Sequence, residues 1–433
     1  MNIFTKKTLK LIGSIKAPPS KSYTHRAIMI GGIDGECKVV NPLYSDDTVA
    51  TINALRQLGS IIKKEPDSLD IKGFSGQPSP KSRSINVGES GTLLRFILPI
   101  ISLAKGNFKV QGRKTLLRRS NRTIVEALKS WDIDISGKGE SHKLPIILKS
   151  KGMLKGGEIY VSGRESSQVI SSLLIIAPFA KSDTAIILKD KLVSRPYVDV
   201  TIDALQKIGI EVKNENYERF YVGSGQNFKP KQRFVIHGDY SSASFLIAAA
   251  SLIPSDITIL DLIDDKQGDK KIIGILNNMG ARIECDSNAI KIKGPFELKG
   301  IDIDASDTPD LVPILTVLGA FAKGKTTIYN IAHLAHKESN RITMPAGELI
   351  KLGARLSTTP DSIIVKQSPL KPAHVSSCYD HRIAMALVVA GLRIGDVKIK
   401  AVECISKSYP DFLQHIKSLG AEFRWLGKKG KDV

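Results

Sequence analysis

Hydrophobic and polar positions recur in one order along the whole chain. An amphipathic helical pattern repeatedly ends in a bulky hydrophobic residue followed by Gly or Asp and a third residue. The last residues of these triplets are Ser60, Ile133, Ile210, Ala281, Ala354 and Ala421, so that successive triplets are 67 to 77 residues apart. A fixed period of this size is the mark of a repeated structural unit. The sequence therefore predicts six units of about 70 residues each.

Each unit shows the same order of elements. The Gly or Asp of the triplet fits a helix end in the left-handed conformation. Alternating strands follow it, for example at 281–284 and 290–292. The preceding helix has a period near 3.6, as in Ile52, Leu55 and Leu58, and a strand lies before it.

A second helix in each unit is apolar on nearly all sides, which predicts burial inside a large domain. These helices are at 27–32, 93–103, 169–180, 243–253, 311–322 and 383–392. We therefore expect an α/β (α+β) fold of two similar domains, each with three β-α-β-α-β-β repeats. The polar stretch 227–233 is the best linker, and Ser20 marks a second crossing. The expected domains are 20–228 and 1–19 with 229–433.

Composition narrows the functional classes. The 433 residues carry a formal net charge of +20, which suits either an anionic small substrate or nucleic acid. Nucleic acid is disfavoured, because aromatic residues make up only 6% and no binding motif is present. No signal peptide or membrane-spanning run is apparent. The four cysteines have no ligand spacing, so we expect reduced thiols, no metal site and a cytoplasmic protein.

The stretch 18–26 places cations beside a helix start. Pro18 and Pro19 predict an extended approach, and the helix should open near Ser22. Free amides there, with Lys21 on an exposed loop and Arg26 nearby, would attract a phosphate or carboxylate. The alternative is an ordinary cap with solvated cations.

Comparable polar clusters precede the other buried and outer helices. Those before buried helices are at 88–95, 164–168, 239–244, 307–310 and 379–382. Those before outer helices are at 45–47, 118–119, 194–197, 264–266, 337–341 and 407–411. If the units are equivalent, two facing domains would surround an interdomain cleft with helix N-termini and cations. Such a cleft suits a substrate with several anionic groups.

Two acidic residues lie among these cations and are candidates for proton transfer. They are Asp310 and Glu338. Asp310 has the alternative role of capping the following helix, and Glu338 of pairing with Arg341.

At these residues the chain resembles the enolpyruvyl transferases, from Lys10 to nearly the C-terminus. The matching motifs are Pro19-Ser20-Lys21-Ser22 with Arg26, Gly91-Thr92 with Arg95, Ser166-Ser167-Gln168, Ser194 with Pro196-Tyr197, Pro309-Asp310, Lys337-Glu338-Ser339, Asp380-His381-Arg382, and Lys407. The family fold has two domains of three repeats, which agrees with the repeat found above.

The resemblance implies transfer of the enolpyruvyl group of phosphoenolpyruvate to the 5-hydroxyl of shikimate 3-phosphate, on the route to chorismate and aromatic amino acids, through a tetrahedral ketal and with release of phosphate. By similarity, shikimate 3-phosphate would be held by Lys21, Ser22, Arg26, Ser166, Ser167, Gln168, Ser194, Asp310 and Lys337. Phosphoenolpyruvate would be held by Lys21, Gly91, Arg119, Gln168, Arg341, Arg382 and Lys407. Lys21, Asp310 and Glu338 are assigned to the proton transfers, with the individual steps left open. The chemistry needs an acid and a base and no cofactor or metal.

The resemblance further implies a target of glyphosate, and we expect a monomer without nucleic-acid or membrane partners. Three departures from the family pattern stand out. They are Asn340 in place of Asp, Ser120 in place of Pro, and Glu89-Ser90 where many bacterial members have Asn-Ala. Asn340 is expected to weaken an ion pair of Arg341, and Ser120 leaves Arg118 as an alternative to Arg119.

Two other functions remain open from the sequence. A transferase acting on a UDP-amino sugar would carry Lys-Asn in place of Lys21-Ser22 and a cysteine in the loop at 116–121. An RNA-end-binding or RNA-cyclising protein would use similar repeats and a basic surface, and its heparin binding would be lost in modest salt.

Overall fold

The computed structural model describes residues 1–229 and 231–426. Pro230, within the predicted linker, lies outside the described residues. The chain divides into two compact units. The first unit is Pro19–Ile236, and the second unit joins Met1–Pro18 to the chain from His237 onward. Each has its own hydrophobic core.

The first 236 residues contain three successive repeats, preceded by two strands. The two strands are Asn2–Thr5 (β1) and Leu11–Lys16 (β2). The first repeat has Lys21–Ile33 (α1), Glu36–Val40 (β3), Asp46–Leu58 (α2), Ile61–Lys64 (β4) and Ser68–Lys72 (β5). The second has Ser84–Asn86 (β6), Gly91–Ile101 (α3), Lys105–Gln111 (β7), Arg122–Lys129 (α4), Asp134–Lys138 (β8) and Lys143–Lys151 (β9). The third has Gly157–Val161 (β10), Ser167–Ile176 (α5), Thr184–Leu188 (β11), Pro196–Lys207 (α6), Lys213–Glu215 (β12) and Arg219–Val222 (β13), and Gln232–Val235 (β14) follows it.

The later repeats follow the same order. The fourth has Tyr240–Leu252 (α7), Ser255–Leu260 (β15), Lys271–Asn278 (α8), Ile283–Cys285 (β16) and Ala289–Ile292 (β17). The fifth has Asp302–Asp304 (β18), Val312–Phe321 (α9), Lys325–Tyr329 (β19), Thr343–Lys351 (α10), Arg355–Thr359 (β20) and Ser362–Lys366 (β21). The sixth has His374–Ser376 (β22), His381–Ile394 (α11), Lys398–Lys400 (β23), Phe412–Ser418 (α12) and Phe423–Leu426 (β24). Short 3₁₀ turns are Lys114–Arg118, Ala177–Phe179, Gly268–Lys270, Ala332–His336 and Val402–Lys407.

Each repeat forms one four-stranded mixed sheet. The strand orders are β14-β3-β5-β4, β6-β7-β9-β8, β10-β11-β13-β12, β2-β15-β17-β16, β18-β19-β21-β20 and β22-β23-β1-β24. The first two strands of every sheet are parallel and the other pairs are antiparallel. Three strands come from distant parts of the chain, since β2 serves the fourth repeat, β14 the first and β1 the sixth.

These exchanged strands set the crossings between the units. We expected the second crossing at 228/229, but the units change at 236/237. The reason is that β14 pairs in parallel with β3, from Gln232 and Cys37 to Val235 and Val40, and so belongs to the first unit. The other crossing falls at 18/19, one residue before the expected position.

The local predictions hold. The six apolar helices are α1, α3 and α5 in the first unit and α7, α9 and α11 in the second, and every residue of α7 is buried. The residue expected to be left-handed at each amphipathic helix end has positive φ. These residues are Gly59, Asp132, Gly209, Gly280, Gly353 and Gly420, with φ between 59° and 115°. The mixed α/β class is confirmed. No helix within the described residues has the length and hydrophobicity needed to cross a membrane.

Candidate active site

The N-terminus of α1 holds Lys21 in a more enclosed place than expected. The helix begins at Lys21, and the Ser20 hydroxyl caps it by accepting from the amide of Tyr23 at 3.5 Å. The Lys21 side chain is only 14% exposed, and its Nζ lies 3.3 Å from Asp47 Oδ2. Lys21 is therefore a helix residue with a carboxylate partner, and the expectation of an exposed loop cation is wrong. The partner comes from the first turn of α2.

Arg26 is buried and joins three helices. Its Nε donates to Thr201 Oγ1 at 2.6 Å and its Nη2 to the Tyr197 carbonyl at 2.7 Å. Nη1 donates to the carbonyl of Ser22 at 3.0 Å, and Nη2 also reaches Ser171 Oγ. Burial lowers the pKa of Arg26 to about 10, which leaves it charged at neutral pH. All three guanidinium nitrogens thus have protein partners, so Arg26 fixes α1 against α5 and α6.

Two arginine side chains lie close to Gly91. A Cβ atom at Gly91 would overlap the Arg119 guanidinium and come within 3.1 Å of Arg95 Nη1. Arg95 Nη1 donates to Gln168 Oε1, and Gln168 Nε2 donates to Thr92 Oγ1, both at 2.9 Å. A side chain at this position would therefore require the Arg119 guanidinium to move.

The choice between Arg118 and Arg119 follows from their exposure. Arg119 is 8% exposed, whereas Arg118 is on the surface. The structure therefore favours Arg119 as the arginine that faces Gly91.

Three serines of the first unit lie near helix starts. Ser166 caps α5 by accepting from the amide of Gln168 at 3.3 Å, and Ser167 is buried beside it. Ser194 is 2% exposed and has φ +57°. Within the described chain its Oγ has no hydrogen-bond partner. A buried hydroxyl of this kind is unfavourable unless something else bonds it.

The second unit gathers carboxylates around Arg341, which is 2% exposed. Arg341 Nε lies 2.8 Å from Asp380 Oδ2, Nη2 lies 2.7 Å from Glu338 Oε2, and Nη1 lies 2.5 Å from Asp310 Oδ1. Burial alone would lower the pKa of Arg341, but the three carboxylates raise it well above its ordinary value.

The side chain of Asn340 bonds to the backbone that follows it. Asn340 Oδ1 accepts from the amides of Ile342 and Thr343 at the start of α10. Arg341 is oriented by the three carboxylates, without a contribution from position 340.

Asp310 links two arginines. Its second oxygen lies 3.0 Å from Arg382 Nη2, so the two oxygens of one carboxylate bind Arg341 and Arg382. The N-cap residue of α9 is Leu311, and Asp310 directly before it binds the two arginines. The pairing considered for Glu338 with Arg341 is observed. Both acids remain partly accessible, at 22% and 19%.

Several buried residues of this cluster were not anticipated. Asp380 is 0% exposed, caps α11 through the Arg382 amide and accepts from Ser339 Oγ. Asp269 accepts a short hydrogen bond from Ser241, and burial together with Asp310 raises the pKa of Asp269 to about 7. Burial and Lys337 lower the pKa of His333 to about 3. In the sequence, Asp380 stood out only as part of the polar cluster 379–382 and of the motif Asp380-His381-Arg382, without an assigned role.

The candidate residues lie in both units, and some of them share contacts. In the first unit, Gly91 lies against Arg119 and Arg95, Arg95 donates to Gln168, and Arg26 donates to the carbonyl of Ser22. The other candidates of this unit are Lys21, Ser166, Ser167 and Ser194. In the second unit, Asp310, Glu338, Arg341 and Arg382 share contacts, and Lys407 Nζ donates to the Tyr379 carbonyl at 3.4 Å. Among the described residues no group of three His, Cys, Asp or Glu side chains is placed to hold a metal ion.

The fold is that of the enolpyruvyl transferases. It superposes on an EPSP synthase from Acinetobacter baumannii with a TM-score of 0.80 and 26% identity, covering 98% of this chain and 99% of the other. The enolpyruvyl transferase NikO from Streptomyces tendae gives a TM-score of 0.78 at 15% identity, with 98% of each chain covered, which shows the shared fold alone.

The sequence comparison is more specific. The family model of EPSP synthase (3-phosphoshikimate 1-carboxyvinyltransferase) matches residues 5–416, and the chain belongs to this family. A 3-phosphoshikimate 1-carboxyvinyltransferase from Methanocaldococcus jannaschii is 42% identical, covering 97% of this chain and 98% of the relative. One of the same name from Methanosarcina mazei is 39% identical, covering 95% and 96%. The family and transferase class predicted from the motifs are confirmed.

Proposed function

We propose that this chain transfers the enolpyruvyl group of phosphoenolpyruvate to the 5-hydroxyl of shikimate 3-phosphate and releases phosphate, a step toward chorismate and aromatic amino acids. This assignment rests on one observation above the others, the family match over residues 5–416. The arginine pair at Asp310 and the close approach at Gly91 support it, because both suit anionic groups.

The reaction has two stages. In the first, the 5-hydroxyl oxygen attacks C2 of phosphoenolpyruvate and loses its proton, while the C3 methylene gains a proton to become a methyl group. In the second, the methyl group loses a proton, the double bond forms again, and the C2–O bond to phosphate breaks. The atoms balance without an oxidant or a metal. Lys21, Asp310 and Glu338 are proposed to carry these protons.

Binding of phosphoenolpyruvate is proposed to change the partners of Asp310. Its two oxygens bind Arg341 and Arg382, which are also proposed to bind phosphoenolpyruvate. A substrate carboxylate that replaced Asp310 on these arginines would leave Asp310 able to accept a proton. The incoming anion would thus prepare the base at the same time as it fills the site.

Shikimate 3-phosphate is proposed to use Ser22, Arg26, Ser166, Ser167, Gln168 and Ser194 of the first unit, together with Lys21, Asp310 and Lys337. The Ser194 hydroxyl supports this role, since a phosphate oxygen would satisfy its buried hydrogen-bonding group. Phosphoenolpyruvate is proposed to use Lys21, Gly91, Arg119, Gln168 and Lys407 besides the two arginines. We propose a cytoplasmic monomer whose partners are these small molecules and whose two units close an interdomain cleft.

The test is phosphate release by the purified full-length protein. Release should require both phosphoenolpyruvate and shikimate 3-phosphate, and a UDP-amino sugar should not replace the second. The variant Lys21→Met should abolish turnover, and because it removes the cation that pairs with the largely buried Asp47 carboxylate, it should also lower the thermal unfolding midpoint. Release from phosphoenolpyruvate alone, or none with both substrates, would contradict the assignment.

A further inference from the structure

The loop before α3 carries an enclosed carboxylate, Glu89, two residues from Gly91. Its side chain is only 6% exposed. Its Oε1 lies 2.8 Å from Lys114 Nζ and 3.9 Å from Arg113 Nε, although both cationic side chains are mostly exposed. A buried negative charge beside a site for anions opposes their binding. The Glu89 carboxylate must therefore have a role other than binding the substrate.

The backbone joins the same two segments. The amide of Arg113 donates to the carbonyl of Gly88 at 2.8 Å. Lys114 follows with φ +50°, a conformation that lysine seldom adopts and that surrounding contacts must maintain. The ion pair to Glu89 is such a contact. Three contacts thus join residues 88–89 to residues 113–114, namely one backbone hydrogen bond and two ion pairs.

Arg119 follows this connection closely along the chain. Lys114 begins the 3₁₀ turn Lys114–Arg118, whose Leu116 is fully buried. The amide of Arg119 closes the turn by donating to the Leu116 carbonyl at 3.3 Å. A single short turn therefore separates the Glu89 ion pair from the guanidinium that faces Gly91.

We propose that Glu89 is a positioning residue. Its ion pairs hold Arg113 and Lys114 in place, and this latch keeps Arg119 against Gly91, where Arg119 can bind phosphoenolpyruvate. This role rests on the proposed function. It explains why a carboxylate is retained beside an anion site. Glu89 sets the place of a cation and makes no contact with the substrate.

The test compares Glu89→Gln, Lys114→Met and the double variant. Each single change should raise KM for phosphoenolpyruvate about three- to tenfold, and the double variant should be no worse than the singles, because both remove one coupled pair. KM for shikimate 3-phosphate should change less than about twofold. The matched control is the exposed pair Lys213–Glu215, 2.7 Å apart, whose variants Lys213→Met and Glu215→Gln should change neither constant. If Glu89 acted only by repelling anions, Glu89→Gln would lower KM, and the proposal would be overturned.

A second measurement does not depend on turnover. Trypsin should cut after Arg113 and Arg118 faster in Glu89→Gln than in the wild type or in Glu215→Gln, since loosening the latch exposes that segment. Both results are required, and a change in KM or in cleavage alone overturns the positioning role. If the wild type binds phosphoenolpyruvate but does not turn it over, only the proposed reaction is wrong. The positioning role is then tested with dissociation constants in place of KM. If the wild type does not bind phosphoenolpyruvate, both proposals fail, whereas unchanged cleavage with normal turnover rejects the latch alone.

Discussion

Asp380→Asn removes a charge from the centre of the second unit. Asp380 is 0% exposed, and its oxygens contact Arg341 Nε at 2.8 Å and the amide of Arg382 at 2.9 Å. Asparagine caps helices about as well as aspartate does, so the amide contact should survive. The substitution therefore isolates the ion pair with Arg341.

The magnitude follows from what Arg341 retains. Removing one partner of a buried ion pair costs about 3–5 kcal/mol when the other charge is left uncompensated. Arg341 keeps Glu338 and Asp310, so we expect the lower end, about 3 kcal/mol. For a domain of about 200 residues this lowers the unfolding midpoint by about 6–12 °C.

Asp310→Asn provides the contrast within the same cluster. Asp310 is 22% exposed, so solvent screens its ion pairs with Arg341 and Arg382 more than it screens the pair of the fully buried Asp380. The midpoint should therefore fall less than in Asp380→Asn, by less than about 6 °C. Turnover should nevertheless fall by at least about 100-fold, because a proposed proton-transfer group is lost.

The two tryptophans allow the unfolding of each unit to be followed separately by fluorescence. Trp131 lies in the first unit and Trp425 in the second, so a Trp131→Phe background leaves Trp425 fluorescence to report on the second unit. Thermal unfolding of both variants is measured in that background. Equal midpoints for the two variants, or no shift for Asp380→Asn, would refute the reasoning that Asp380 positions Arg341 whereas Asp310 transfers a proton.

Three further predictions concern binding. Arg382→Ala should raise KM for phosphoenolpyruvate at least about tenfold and that for shikimate 3-phosphate much less, since a charge-assisted contact is lost; equal increases would indicate general damage. Glyphosate should inhibit the wild type, and Gly91→Ala should weaken it more than phosphoenolpyruvate, because the added methyl displaces Arg119; an uninhibited wild type with normal turnover would reject this. In X-ray scattering, shikimate 3-phosphate should reduce the radius of gyration and tighten binding of the second ligand, as cleft closure requires; an unchanged radius with independent binding would exclude it.

Elements defined by local chemistry could be predicted from the sequence. Gly59 and Gly353 end their helices with positive φ because a glycine there avoids the strain of a side chain. The apolar helices, such as α7, were evident because no polar face interrupts their pattern. Both signals are contained within about a dozen residues.

Pairings between distant residues could not be predicted. The strand β14 was not predicted, because its first two residues belong to the polar stretch 227–233 that was expected to be a linker, and nothing local shows that its partner is β3. The candidate site shows the same limit. The Lys21–Asp47 and Arg341–Asp380 pairs join residues of different helices, and which acid meets which base depends on how those helices pack.

The exchanged strands affect how the protein is made. Strand β2 leaves the ribosome early, but its parallel partner β15 begins about 240 residues later, where Ser255 pairs with Leu11. At about 5–20 residues per second, β2 waits roughly 10–50 s for that partner during synthesis. The first unit cannot complete its first sheet until Gln232–Val235 has emerged. The N-terminal segment must therefore stay unpaired while a whole unit folds beside it, and during that time its exposed edges are open to chaperones and to wrong partners.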